Sequence, residues 1–363
     1  MLEFAEMVID YQAETPFWTR WAYAAPLLAV AALGLSLAGC GGGEPRAEQQ
    51  PPAEQGERSL KVGLVTDIGQ LNDRGFNQLA YQGLKRAQRE LGISGRVIES
   101  RTAADYVPNV TSLARKGYDL VIGVGFAQGD AIDTSAQRWP GVRFAIIDVD
   151  QTTLAHRPKN AVGLLFREEQ AGYLAGYLAA RVERARPGRD VISSVGGMKE
   201  PPVDRFIAGY RAGARRAVPG ITLPNGYSRD WDDQAKCKEI ALDHIARGAG
   251  VVFQVAGGCG LGALDAARQR RVWGVGVDAD QSSLGPHILT SAQKRVDEAV
   301  YRTIESVLEG TWRGGRNLVF GLQEDGVGLG AVSPKVPRAV VSAAEGIHAD
   351  IAAGKLKIPT TVR

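Results

Sequence analysis

LKVGLVTDIGQLNDRGFNQLAYQGLKRAQREL, residues 60–91, is the stretch on which the fold turns. Leu60–Thr66 is short, apolar and β-branched, as befits a strand covered on both faces. Beyond a polar turn, apolar or small residues recur at Leu79, Ala80, Gly83, Leu84, Ala87 and Leu91, which is helical spacing. The same alternation continues. Strands are expected at 95–100, 120–124, 143–147 and 161–166, with helices at 107–116 and 131–138. A second half repeats it, with helices at 168–182, 203–218, 235–247, 261–270 and 296–309. Its strands are expected at 191–195, 222–227, 251–255, 273–277 and 288–291. A helix is expected at 339–353, after a last strand within 321–337. Strands alternating with helices predict parallel sheets with right-handed crossovers, here as two α/β lobes.

Upstream of residue 60 the character changes. Trp21–Gly39 is nineteen residues without a charge, with Arg20 before it and Cys40 after it. That order predicts a secretory signal over residues 1–39. Leu37-Ala38-Gly39-Cys40 resembles the lipobox of bacterial lipoproteins, in which the cysteine is acylated and becomes the new N-terminus. Nineteen apolar residues could also span a bilayer. Pro26 and the small residues Gly34, Ser36 and Gly39 fit cleavage better. Residues 40–59 are dominated by Gly, Pro, Glu and Gln, which predicts a flexible tether. The expected location is the extracytoplasmic face of the cell membrane, held by a lipid on Cys40. The whole chain of 363 residues is 44% hydrophobic and 23% charged, which excludes a mostly disordered protein. A net charge of +3 without a dense basic tract gives no reason to expect nucleic acid.

In open parallel sheets, ligands sit beyond the carboxyl ends of the strands. Polar or aromatic residues follow seven of the expected strands: Asp67, 126–130, Asp148, 196–199, 229–233, 256–260 and 278–281. Several of these stretches resemble the basic membrane protein family, substrate-binding lipoproteins of ABC importers. The matching stretches are VTDIG (65–69) with DRGFNQ (73–78), FREEQAGYLAGYLAA (166–180), and GGM (196–198). Arg205-Phe206 with Gly209-Tyr210, AGGCGLG (256–262), GVDADQ (276–281) and LTSAQKRVD (289–297) complete the set. The resemblance covers about residues 60–312. It implies a type I periplasmic-binding-protein fold, two parallel-sheet lobes joined by a multi-strand hinge, with ligand between them. The first lobe is expected to comprise 60–165 plus about 290–320, the second 166–289 plus about 330–363.

The resemblance also implies a ligand, a purine nucleoside such as inosine, guanosine or adenosine. Phe76 and Trp231 would sandwich the base. Asp67, Asn77 and an acid of the first lobe would bond its edge; Asp130 is preferred for that acid, with Asp148 the alternative. Gly257, Asp278 and Lys294 would meet the ribose hydroxyls. The residue types suit these tasks, since a carboxylate can accept both hydroxyls of a cis-diol. Plainer roles are also open: Phe76 as core, Lys294 as a surface cation, Asp73 and Asp233 as helix N-caps. The expected partners are ABC permease subunits and the membrane, with the protein a monomer. The same fold would equally serve a lipoprotein that senses a sugar or other small metabolite for a membrane signalling partner.

Cys237 and Cys259 lie near adjacent strand ends of the second lobe, and an exported chain favours their pairing. A disulfide closing about twenty residues would stabilise by roughly 3 kcal/mol. Nothing points to catalysis. His156, His244, His287 and His348 are scattered singly, and G-x-S-x-G, H-E-x-x-H and C-x-x-C are missing. The glycines of 257–262 are not followed by the Lys-Ser/Thr of a nucleotide-triphosphate loop. Neither enzyme activity, cofactor nor metal is expected.

Overall fold

Parallel pairing of buried apolar strands organises the computed structural model, which describes residues 59–362. The expected signal 1–39, Cys40 and nearly all of the tether lie outside the described residues. The chain opens with β1 (Lys61–Val65), α1 (Phe76–Leu91), β2 (Ser94–Ile98) and α2 (Tyr106–Arg115). β3 (Leu120–Gly123), α3 (Gly129–Arg138), β4 (Arg143–Ile147) and β5 (Ala161–Phe166) follow. The second lobe begins with α4 (Glu168–Arg184), β6 (Ile192–Gly196), α5 (Pro201–Ala217) and β7 (Asn225–Tyr227). It continues through α6 (Gln234–Ala246), β8 (Val251–Val255), α7 (Gly257–Arg270), β9 (Trp273–Asp278) and β10 (Ile288–Lys294). Then come α8 (Val296–Leu308), β11 (Arg316–Phe320), β12 (Val327–Leu329) and α9 (Arg338–Ala352).

Two six-stranded sheets result, in the orders β11-β5-β4-β3-β1-β2 and β12-β10-β9-β8-β6-β7. Every pairing is parallel except β12 on β10. The interior strands are almost wholly buried, which explains their unbroken apolar runs. Pro224 shortens the strand expected at 222–227. It has no N–H to give, and only a single bridge, Val191 to Thr222, precedes β7.

The chain crosses between the sheets three times, after β5, after β10 and after β11. These crossings are bonded to one another: Arg167 N–H donates to the Phe320 carbonyl (2.9 Å) and Arg295 N–H to that of Gly326 (2.8 Å). The rings of Phe166 and Phe320 stack at 5.3 Å. The return to the first sheet comes later than the expected 290. β10 runs the full seven residues to Lys294, in parallel register with β9 as far as Gln293 opposite Asp278.

Candidate ligand-binding site

The carboxyl ends of both sheets face one cleft. Sheet order ranks its residues by distance from the crossings. β4, beside the crossing strand β5, delivers Asp148, and β10, itself a crossing strand, delivers Lys294. β9 delivers Asp278 and β8 Gly257. β1, β6 and β7, farther along, deliver Asp67, Glu200 and Trp231 to the outer end.

At the outer end Asp67 is held rigidly. Its Oδ1 accepts from Ile68 N–H (2.7 Å) and from the Tyr106 hydroxyl, and its own N–H donates to Asn77 Oδ1 (3.3 Å). Those bonds leave Oδ2 for a ligand. Burial pushes the Asp67 carboxyl up, partly offset by Tyr106. Asp73, two residues ahead of the N-cap Gly75, holds the start of α1 with its carboxylate, accepting from Gly75 (2.9 Å), Asn77 (2.8 Å) and Gln78 (3.2 Å) N–H groups. It thereby fixes where Phe76 and Asn77 enter the cleft. Asp233 caps α6 through Ala235 N–H (3.0 Å).

Trp231 is seated by two contacts. Its carbonyl accepts from Cys259 N–H (2.8 Å), and its ring lies so close to Gly197 that any Cβ there would collide with it. Cys259 in turn is bonded to Cys237, with a Cα–Cα separation of 5.6 Å, so the disulfide ties α6 and α7 beneath the tryptophan. That pair is the one expected from the sequence.

At the crossing end Lys294, 2% exposed, donates to Asp148 Oδ1 (2.6 Å) and Oδ2 (2.7 Å) and to Glu168 Oε1 (3.0 Å). Arg205 meets the other oxygen of Glu168 at 3.2 Å. Burial pulls the lysine down, but the charges of Asp148 and Glu168 outweigh it and push it up to about 12. Phe76 lies 5.0 Å from the same ammonium, so one face of its ring is a cation–π partner. Asp278 ends β9 at φ 61°, and among the described residues its carboxylate has no hydrogen-bond partner. Burial pushes it up to about 7, with Lys294 pulling it down and Asp73, Asp148 and Glu168 adding to the rise.

Of the eight binding residues expected from sequence, seven line this cleft and Asp130 does not. Between β3 and α3 the chain makes a turn at Phe126–Gln128, which brings Gly125 and Phe126 to the cleft. Asp130 then falls in the first turn of α3 with its side chain in solvent. The alternative, Asp148, is the acid that faces the cleft, in a left-handed conformation (φ 72°) directly after β4. Glu200 and Phe206 are cleft residues to which the sequence reading assigned no binding role, and of the stretch 126–130 that follows β3 it is Phe126 that lines the cleft. Glu200 could have been found, since it stands one residue beyond the inspected end of β6.

The chemical character is clear. Asp67, Asp73, Asp148, Glu168, Glu200 and Asp278 face or flank the cleft, against the cations Lys294 and Arg205. A neutral ligand rich in N–H and O–H donors, with a flat apolar face for Phe76 and Trp231, suits such a lining. No cluster of His, Cys, Asp or Glu able to hold a metal occurs among the described residues.

Residues 60–361 match the model of the family described as Bmp, ABC transporter substrate-binding protein PnrA-like. The ABC transporter nucleoside-binding protein BmpA of Lactococcus lactis is 32% identical, over 83% of this chain and 89% of its own. A lipoprotein of Pyrococcus horikoshii is 36% identical, over 83% of this chain and 76% of its own. Among solved structures, an ABC transporter solute-binding protein of Aeropyrum pernix K1 superposes with a TM-score of 0.75 at 27% identity. That likeness covers 84% of this chain and 94% of the other.

Proposed function

The chain belongs to the Bmp family of ABC transporter substrate-binding proteins, which are carriers and not enzymes, and we propose that it captures a purine nucleoside. The observation that carries this reading is the pair of aromatic faces, Phe76 and Trp231, reaching one cleft from opposite lobes with open carboxylate acceptors at both ends. Stacking on an aromatic contributes about 1–3 kcal/mol per base in nucleic-acid proteins. The base takes the outer end, beside Trp231, Asp67 and Asn77. The ribose takes the crossing end, where Asp278 accepts a pair of hydroxyls and Gly257 lets the backbone come close. The nucleoside-binding relative in Lactococcus lactis supports the ligand class.

Capture works by closure. Ligand contacts from both lobes stabilise the form in which the cleft is shut, so binding shifts the equilibrium toward it. Gln281 Nε2 already reaches across to the Arg74 carbonyl (3.1 Å), joining the two lobes beside Asp278. The closed form is what permease subunits of an importer recognise. Cys40, in its lipobox-like setting, carries the lipid that holds the protein on the outer face of the membrane, in keeping with the lipoprotein of Pyrococcus horikoshii.

Calorimetric titration with inosine, guanosine, adenosine, cytidine and ribose tests the ligand. Purine nucleosides are expected to bind with submicromolar to micromolar affinity and ribose not at all. Tight ribose binding without nucleoside binding would overturn the proposal. Asp278→Ala is expected to abolish binding with the thermal melt retained; unchanged affinity would move the ribose elsewhere.

A further inference from the structure

One carboxylate in the cleft has no structural duty. Glu200 precedes α5, where Pro201 and Pro202 open the helix, yet its side chain makes no capping bond. Among the described residues its carboxylate has no hydrogen bond and no ion pair, although it lines the cleft. The neighbouring cation does not neutralise it. Lys199 turns outward, donating to Asp204 at 2.5 Å and lying 5.2 Å from the Tyr227 ring. Glu200 therefore keeps all its acceptor capacity for whatever enters.

Across the cleft stands Asp67, whose Oδ1 is spent on Ile68 and Tyr106 and whose Oδ2 is not. The two carboxylates come from opposite lobes to the same end of the site. Each opposes the other's charge. Burial, then Asp67 and Asp148, push Glu200 up to about 7, and Tyr106 feels the Glu200 charge as well. Such a pair is costly to keep in an empty site, since neither Asp67 Oδ2 nor the Glu200 carboxylate has a hydrogen-bond partner among the described residues. It becomes favourable only when a ligand brings N–H donors for both acids at once.

Purine edges differ in this respect. Hypoxanthine offers one N–H on its six-membered ring. Adenine offers a single amino group. Guanine offers N1–H together with the adjacent 2-amino group, three N–H bonds on one edge. One carboxylate can take N1–H and one amino hydrogen side by side, and the second carboxylate takes the remaining amino hydrogen. We infer that Glu200, acting with Asp67 from the opposite lobe, is the specificity-determining residue that selects a guanine base through its 2-amino group. The inference rests on the nucleoside reading above.

Guanosine and inosine differ only in that amino group, so their affinity ratio reads the inference directly. Titrations of the purified protein by calorimetry are expected to give guanosine an advantage of at least about tenfold over inosine. In Glu200→Leu, which removes the acceptor, the ratio should fall to within about threefold. Glu200→Gln keeps one acceptor oxygen without the charge and should give an intermediate ratio. Circular-dichroism melts check that both variants are folded; should either fail, the wild-type ratio still decides. Nucleosides that bind with guanosine no tighter than inosine would overturn the inference while leaving the proposed function standing. So would a ratio unchanged in Glu200→Leu. A wild-type protein that binds no nucleoside at all would overturn both.

Discussion

Lys294 is where the charges of the two lobes converge. Asp148 comes from the first sheet, Glu168 from the start of α4, and the lysine from the end of β10. All three are at most 5% exposed, so water does little to screen them. A buried pair of this kind adds little net stability when complete, but removing one partner strands the other. Lys294→Met is therefore expected to destabilise the protein by about 3–5 kcal/mol at neutral pH, read from the midpoint of urea unfolding. The loss should shrink at pH 5, because the stranded Asp148, already pushed up by burial, can then protonate. Adding Asp148→Asn to Lys294→Met should restore part of the loss at pH 7. No recovery in the double variant would mean that lost packing, and not an uncompensated charge, sets the cost.

At the scale of elements, α4 and α5 meet backbone to backbone. A Cβ on Gly172 or Gly176 would run into the carbonyls of Phe206 and Tyr210, and one on Gly209 or Gly213 into those of Glu169 and Tyr173. Each helix places two glycines four residues apart on the face the other touches. Gly213→Val should force the helices apart and cost at least about 1–3 kcal/mol, measured as a lowered thermal midpoint. This contact was present in the sequence but not legible there, because glycines within a helix read as weakness until the partner is known. The strands were easier. Parallel strands covered on both sides must be apolar runs, and the chemistry beyond their ends must serve a cleft, which located Asp67 and Asp278, whereas Lys294, past the expected strand at 288–291, came only from the family resemblance. Asp130 and Asp148 could not be separated that way, since each follows a strand. Only the turn at Phe126–Gln128 decides that Asp130 faces solvent. Glu200 was hidden differently: an acid ahead of two prolines has the pattern of a helix start.

For the whole molecule, the cleft makes stability depend on pH with an uncommon sign. Asp278 and Glu200 are both pushed up to about 7, and Asp67 and Asp73 are pushed up as well, burial being the first cause in each case. Unfolded, these groups titrate near 3.8 for Asp and 4.5 for Glu. Between about pH 4 and pH 7 the folded protein thus holds more protons than the unfolded chain, so stability falls as pH rises through that window. For Asp278 alone the change is on the order of 4 kcal/mol. The buried His244 and the half-buried His287 are pushed down and oppose this, but only below their ordinary value of 6.5. Carboxylates held down at the surface, such as Asp230 beside Lys236, act only at pH below about 4. The ligand-free protein should therefore melt at a lower temperature at pH 8 than at pH 5, and Asp278→Asn should remove much of that difference. A ligand that donates to these carboxylates favours their charged forms, so binding must expel protons and tighten as pH rises through the same window. Calorimetry near pH 6.5 in two buffers of different ionisation enthalpy measures that release directly. A flat melting temperature from pH 5 to 8 together with no proton release would mean that these acids are charged in the empty cleft. The site would then be preformed for its ligand's donors, with no energy held back for the ligand to recover.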